Sequence, residues 1–291
     1  MGQGTVIKAF SSYYYVQTDS KVTMCTLRGR FKKERFSLFV GDVVEYVPGT
    51  AGKGVIETIL PRKSLLKRPT VANVNQVVVT FAAARPDFST ILLDRFLVLA
   101  EMSHLEPVIV INKMDLADRE KIEEIADVYR KIGYQVILVS TFTGIGIQEL
   151  AELLHHRITV FSGPSGAGKS SILNAIEPGL SLVTGVISDK IGRGKHTTRH
   201  AQLLPLAGGG FVVDTPGLGF TEFTDIEEME LMHCFPEISA MASACRFSSC
   251  LHYKEPQCAV KQAVLTGEIA EGRYGSYLAI LEELKTNKKG F

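Results

Sequence analysis

The chain has 291 residues, 45% hydrophobic and 22% charged, with a formal net charge of +1. These are the proportions of a soluble globular protein with room for two or three domains, at roughly 150 residues each. No apolar run approaches the roughly 20 residues that cross a bilayer, and the opening MGQGTVIKAF lacks the basic-then-apolar pattern of a secretion signal. The expectation is therefore a cytoplasmic protein with no membrane partner.

The near-neutral total conceals a gradient. Residues 1–68 hold 12 Lys and Arg against 5 Asp and Glu, residues 69–220 hold 13 against 15, and residues 221–291 hold 7 against 11. A basic N-terminal module suits an anionic partner such as RNA, although a solvated face on a small barrel gives the same count.

From Gly4 to about Arg62 the chain reads as short alternating strands, TVIKAFSSYYYVQ, TMCTLRGRF, FVGDVVEYV and GVIETIL, separated by turns that contain glycine. Four or five such strands predict an all-β barrel of OB type over residues 1–65. Tyr13 to Tyr15 with Arg28, Arg30, Lys32, Lys33 and Arg35 could give it a basic, aromatic RNA-binding face, with at least one tyrosine in the core.

Over residues 66–220 the pattern changes to strands alternating with helices, which predicts a mostly parallel sheet covered on both faces. VNQVVVTFAA is a buried strand, and STILLDRFLVLAEM a helix capped at Ser89. EPVIVIN is a strand, and DREKIEEIADVYRKIG an amphipathic helix stopped at Gly133. YQVILVS, IQELAELLHH, ITVFS, KSSILNAI and GFVVDT continue the alternation. Residues 221–291 are acidic and helical in tendency, interrupted by a cysteine cluster.

The chemistry sits at strand ends. After EPVIV comes INKMD, in which Asp115 can accept hydrogen bonds from both N1–H and the exocyclic amine of guanine while Asn112 and Lys113 brace the loop and cover the purine. Adenine offers no such pair of donors, so this loop selects GTP over ATP. VSTFTGIGI, with Ser140 and Thr141, is similar to the remaining guanine-contacting loop. FSGPSGAGKSS then fits G-x-x-x-x-G-K-[ST]: Gly163, Pro164, Ser165, Gly166, Ala167 and Gly168 turn backbone N–H groups toward phosphates, Lys169 reaches the β and γ phosphates, Ser170 ligates Mg²⁺, and Ser171 continues into the helix. FVVDTPG supplies D-x-x-G, with Asp214 holding Mg²⁺ through water and the Gly217 N–H meeting the γ-phosphate. Cys245, Cys250, His252 and Cys258 follow within 14 residues, spaced C-x4-C-x-H-x5-C. Three thiolates and one imidazole fill a tetrahedron with no open position, which predicts one structural Zn²⁺ per chain; the alternative, a disulfide, is disfavoured by a cytoplasmic address. Cys25 and Cys234 lie outside this motif and read as buried thiols.

Base loops at 112 and 140, P-loop at 163, GRGKHTT at 192–198 and D-x-x-G at 214 form the cyclically rotated order of a translational-type GTPase. With the basic barrel before them and the Cys/His cluster after, the whole chain closely resembles the RsgA (YjeQ) family of bacterial small-ribosomal-subunit biogenesis GTPases. The resemblance implies an N-terminal OB domain, a circularly permuted α/β GTPase domain and a C-terminal zinc domain. It also implies a ribosome-stimulated cycle of GTP and GDP on the 30S subunit and its 16S rRNA, by a protein expected to be a monomer. Thr198, or failing it Thr197, matches the family's Mg²⁺-binding switch threonine. Leu218 stands where Ras-like proteins place a water-orienting Gln, so unaided turnover is expected to be slow. His196 is the nearest replacement as a catalytic residue; the alternatives are an rRNA contact or simple exposure. The rotation also runs the γ-phosphate sensor at Gly217 to Phe220 directly into residues 221 onward, which would pull on the third module at hydrolysis. Two other readings are a passive RNA-binding module and a small-molecule kinase, and INKMD argues against the kinase.

Overall fold

The computed structural model describes residues 1–18, 21–29, 37–49, 53–67, 69–180, 182, 201–214 and 226–288. Five strands open it: β1 (Gly2–Phe10), β2 (Tyr13–Gln17), β3 (Val22–Leu27), β4 (Val43–Pro48) and β5 (Lys53–Ile59). The stretch read as one strand, TVIKAFSSYYYVQ, breaks in two because Ser11 takes a left-handed φ of +55° and turns the chain. β1 pairs antiparallel with both β2 and β4, β2 with β3 and β4 with β5, while β3 and β5 run parallel. The strands therefore close on themselves as an OB-like barrel, and no edge is left among them. Alternation places Val6, Val16, Cys25, Val44, Tyr46 and Ile56 inside, joined by Leu38. Tyr14 packs against this core and Tyr13 is 41% exposed. Arg28 is ion-paired with Glu57 of β5, whereas Arg30, Lys32, Lys33 and Arg35 lie outside the described residues.

A short hairpin follows, β6 (Leu65–Lys67) with β7 (Thr70–Ala72), then β8 (Gln76–Ala82), α1 (Thr90–Met102), β9 (Glu106–Asn112), α2 (Arg119–Ile132) and β10 (Gln135–Leu138). Every residue of β8 is buried and β9 and β10 run parallel, so both strands read as near-continuous apolar runs. Ser89 Oγ accepts from the Leu92 N–H at the start of α1, and Asp118 accepts from the Glu120 N–H at the start of α2, which Gly133 ends at φ +111°. Next come α3 (Ile147–Leu153), β11 (Ile158–Ser162), α4 (Lys169–Ile176), β12 (Gln202–Pro205) and β13 (Phe211–Asp214). β11 and β13 are parallel, β12 and β13 form an antiparallel hairpin, and β12 also pairs with β1 at Lys8↔Gln202. Helices α5 (Pro236–Ala242), α6 (Ala259–Leu265) and α7 (Glu271–Lys288) complete the described chain. None of its helices is long and apolar enough to cross a membrane.

The chain forms two compact units. One comprises Met1–Gln76, Ile147–Phe161 and Ser170–Leu218; the other comprises Val77–Gly146, Ser162–Lys169 and Gly219–Phe291. In the second unit Phe235, Ile238, Tyr277, Ile280, Leu281 and Leu284 share one core with Val98 and Leu99 of α1. At roughly 1.5–3 kcal/mol per fully buried large apolar side chain, this contact fastens α7 to α1. Beside it lies Arg273, 2% exposed, which donates to Asp94 of α1 at 2.6 Å and to both carboxylate oxygens of Glu237 at 2.7 and 3.2 Å.

Candidate nucleotide and metal sites

The phosphate loop leaves β11 at Gly163, whose φ of +128° and position 2.0 Å (for an added Cβ) from the Thr80 carbonyl admit only glycine. Gly168 is constrained likewise, since a Cβ there would stand 2.2 Å from Asn112 Nδ2. Between them Ala167 is buried and Ser165 and Gly166 are exposed. Lys169 opens α4, and its ammonium lies across the loop, 2.7 Å from the Gly163 carbonyl and 2.9 Å from that of Pro164. Ser170 and Ser171 follow in the first turn of α4. A curled loop ahead of a helix N-terminus, with one cation beside it, is an arrangement able to receive an anion.

The base loop is tied to it. Asn112, 1% exposed at the end of β9, donates from Nδ2 to the Ala167 carbonyl at 3.0 Å. Lys113 takes a left-handed φ of +63° and hydrogen-bonds the Arg85 carbonyl. Ser140 Oγ donates to Asp115 Oδ1 at 2.5 Å and accepts from the Thr143 N–H at 3.2 Å, fixing the Asp115 carboxylate. Thr141 follows Ser140 in the same turn. Asn112, Lys113, Asp115, Ser140 and residues 163–169 thus converge within one compact unit, although base loops and phosphate loop come from separate stretches of chain.

Asp214 ends β13 with its carboxyl pushed up by burial, an effect that a nearby cation would oppose. Gly217 and Leu218, together with the segment to Phe220, lie outside the described residues, as do His196, Thr197 and Thr198.

In the C-terminal part, the ligand atoms of Cys245, Cys250, His252 and Cys258 all lie within 4.8 Å of one another. Cys245 Sγ is 3.5 Å and Cys258 Sγ 3.4 Å from His252 Nδ1, and the two sulfurs are 3.9 Å apart. Bond lengths of about 2.3 Å for Zn–S and 2.0–2.1 Å for Zn–N give tetrahedral edges of about 3.8 and 3.6 Å, so the donors fit a closed zinc site. His252 Nε2 is turned away, 3.4 Å from Met232 Sδ, so Nδ1 is the nitrogen that faces the sulfurs. All five cysteines are free thiols; Cys25 and Cys234 are buried, and burial pushes them up to about 11 and about 12. The buried Arg273 network escaped sequence reasoning altogether: its members are 179 and 36 residues apart in the chain, and no local pattern announces them.

Comparison with known proteins agrees with this geometry. Residues 59–224 match the model of the RsgA GTPase, and residues 3–56 that of the RsgA N-terminal domain. The chain is 48% identical over 291 residues to the small ribosomal subunit biogenesis GTPase RsgA of Geobacillus sp. strain WCH70, covering 99% of each. It is 45% identical over 287 residues to the protein of that name from Caldanaerobacter subterraneus subsp. tengcongensis, covering 99% of this chain and 97% of the relative. Among solved structures, YjeQ from Thermotoga maritima aligns with TM-score 0.84 and 44% identity, over 97% of this chain and 98% of its own. YloQ, described as a circularly permuted GTPase, aligns with TM-score 0.84 and 42% identity, over 98% and 95%.

Proposed function

The chain belongs to the RsgA GTPase family and hydrolyses GTP to GDP and phosphate, and from that premise we propose that it works on the 30S ribosomal subunit, binding it late in maturation and leaving after hydrolysis. The observation that carries this reading is 48% identity across 99% of the chain to a protein named for small ribosomal subunit biogenesis. The work divides among a barrel over residues 1–65 that contacts 16S rRNA, a permuted GTPase domain over 66–220 and a zinc domain over 221–291. The protein acts as a cytoplasmic monomer.

Asn112, Lys113, Asp115, Ser140 and Thr141 take the guanine, and residues 163–171 wrap the phosphates. Ser170, Thr198 and Asp214 would hold Mg²⁺, which when bound would supply positive charge to offset that of the phosphates. Lys169 would add a second positive charge beside the phosphates, and the Gly217 N–H would meet the γ-phosphate. Leu218 cannot direct water, so turnover depends on His196 acting when the ribosome is bound. Multiple-turnover GTP hydrolysis should rise at least tenfold on addition of 30S subunits. His196→Ala should abolish that rise and leave GDP affinity within about twofold. Absence of any stimulation contradicts the ribosomal reading, and an equal loss of nucleotide affinity contradicts the role of His196.

The Cys/His cluster holds zinc for structure, because Cys250 and Cys258 also belong to the core of the C-terminal helices. Cys258→Ser is expected to reduce the metal content from about one zinc per chain to near zero. It should also lower the melting temperature by about 5 °C or more. Metal analysis of the purified variant checks this, and a retained equivalent of zinc refutes it.

A further inference from the structure

We propose that Phe142 is a base-contacting residue whose ring stacks on the face of the purine whose edge Asp115 reads. The inference rests on the guanine reading of the loops at 112–115 and 140–146.

Phe142 is 86% exposed, more so than any other large apolar side chain among the described residues apart from the terminal Met1. It stands on a loop held in place: the Ser140 N–H donates to the Ile145 carbonyl at 3.0 Å and the Gly144 N–H to the Ser140 carbonyl at 2.9 Å. Gly146, at φ +71°, lies where a Cβ would meet the Leu138 carbonyl at 2.2 Å, so the loop is also pinned to the end of β10. A ring exposed on a mobile loop could fold back onto the protein. Here the backbone that carries the ring is held by these bonds.

Position then names the partner. Phe142 is two residues from Ser140, whose hydroxyl fixes Asp115 at 2.5 Å. The N–H groups of Thr141 and Phe142 have no hydrogen-bond partner among the described residues, which leaves donors for a carbonyl on the base. The same two loops also expose Leu116 and Ile145, at 55% and 52%. Isolated exposed apolar side chains need no explanation, but three on the loops that read a flat aromatic ligand do. An aromatic ring offers a purine a stacking surface that every base can use. Phe142 therefore adds affinity without adding selectivity, which remains with Asp115.

The test is calorimetric titration of the full chain with GDP and with inosine diphosphate, which lacks the exocyclic amine. Phe142→Ala should weaken both by the same factor, about tenfold, leaving their ratio unchanged, and Phe142→Trp should bring both back to within about threefold of wild type. A Phe142→Ala affinity for GDP within twofold of wild type overturns the proposal, as does a loss that Trp fails to restore. Unchanged nucleotide affinity with reduced 30S-stimulated turnover also overturns it and assigns the ring to a macromolecular contact. If the wild-type chain binds neither nucleotide, the guanine reading itself fails, an outcome distinct from the failure of Phe142 alone.

Discussion

Arg273→Ala is expected to destabilise the protein by about 3–5 kcal/mol, the cost of removing one partner from a buried ionic network and leaving the other charges unpaired. Arg273 and Asp94 are 2% and 1% exposed at their side chains, and the pair is 2.6 Å apart. The guanidinium lies 4.6 Å from the centroid of Phe235, and the Tyr129 hydroxyl donates to the same Asp94 oxygen at 2.8 Å. Burial opposes the positive charge of Arg273, but Asp94 and Glu237 more than offset it and hold the guanidinium protonated. Burial likewise pushes the Asp94 carboxyl up, while Arg273, Ser276 and Tyr129 pull it down. Each charge is tolerable only with the other present. Denaturant unfolding should show the loss, and Asp94→Ala should cost a similar amount. The double substitution should cost clearly less than the sum, because the two residues act through one contact. A single-variant loss below about 1 kcal/mol contradicts this account of how α7 is fastened to α1.

Asp115→Asn is expected to weaken GDP binding at least a hundredfold. In the proposed site the carboxylate would accept from two donors on guanine, each bond to a charged acceptor is worth about 1.5–3 kcal/mol, and a site built for such a pair rejects a mismatch strongly. The loop itself should survive, since the Asn carbonyl can still accept from Ser140 Oγ, which now donates to Asp115 at 2.5 Å. Xanthosine diphosphate, which carries a carbonyl where guanine has an amine, should bind the variant better than it binds wild type, because the new amide can donate to it. Calorimetry with both nucleotides checks the exchange. GDP affinity within tenfold of wild type contradicts the assignment of Asp115.

Features that depend on neighbouring residues were legible in the sequence. The Ser89 cap, the Gly133 stop, the glycines of the phosphate loop and the Cys/His spacing each follow from what one short segment can do. The circular permutation was legible too, because each motif is recognised by its own residues wherever it falls in the chain. Features made by distant segments were not. β12 has four residues and ends in proline, too short for an alternation signal, and its place is set by pairing with β1 and β13. The hairpin of β6 and β7 has three residues per strand and is hidden for the same reason. Arg273 sits in EGRYGSYLAILEELK, where a lone arginine among polar neighbours reads as a solvated face. Only packing against α1 buries it. Phe142 was passed over because an aromatic residue in a loop has no periodicity to mark it; its exposure became visible only in the fold.

Isothermal titration of the purified wild-type chain with GDP and with ADP tests most directly that loops from separate stretches of chain form one guanine site. One GDP per chain, bound at least a hundredfold more tightly than ADP, is the predicted result. Equal affinity for the two nucleotides, or no binding of GDP, contradicts it.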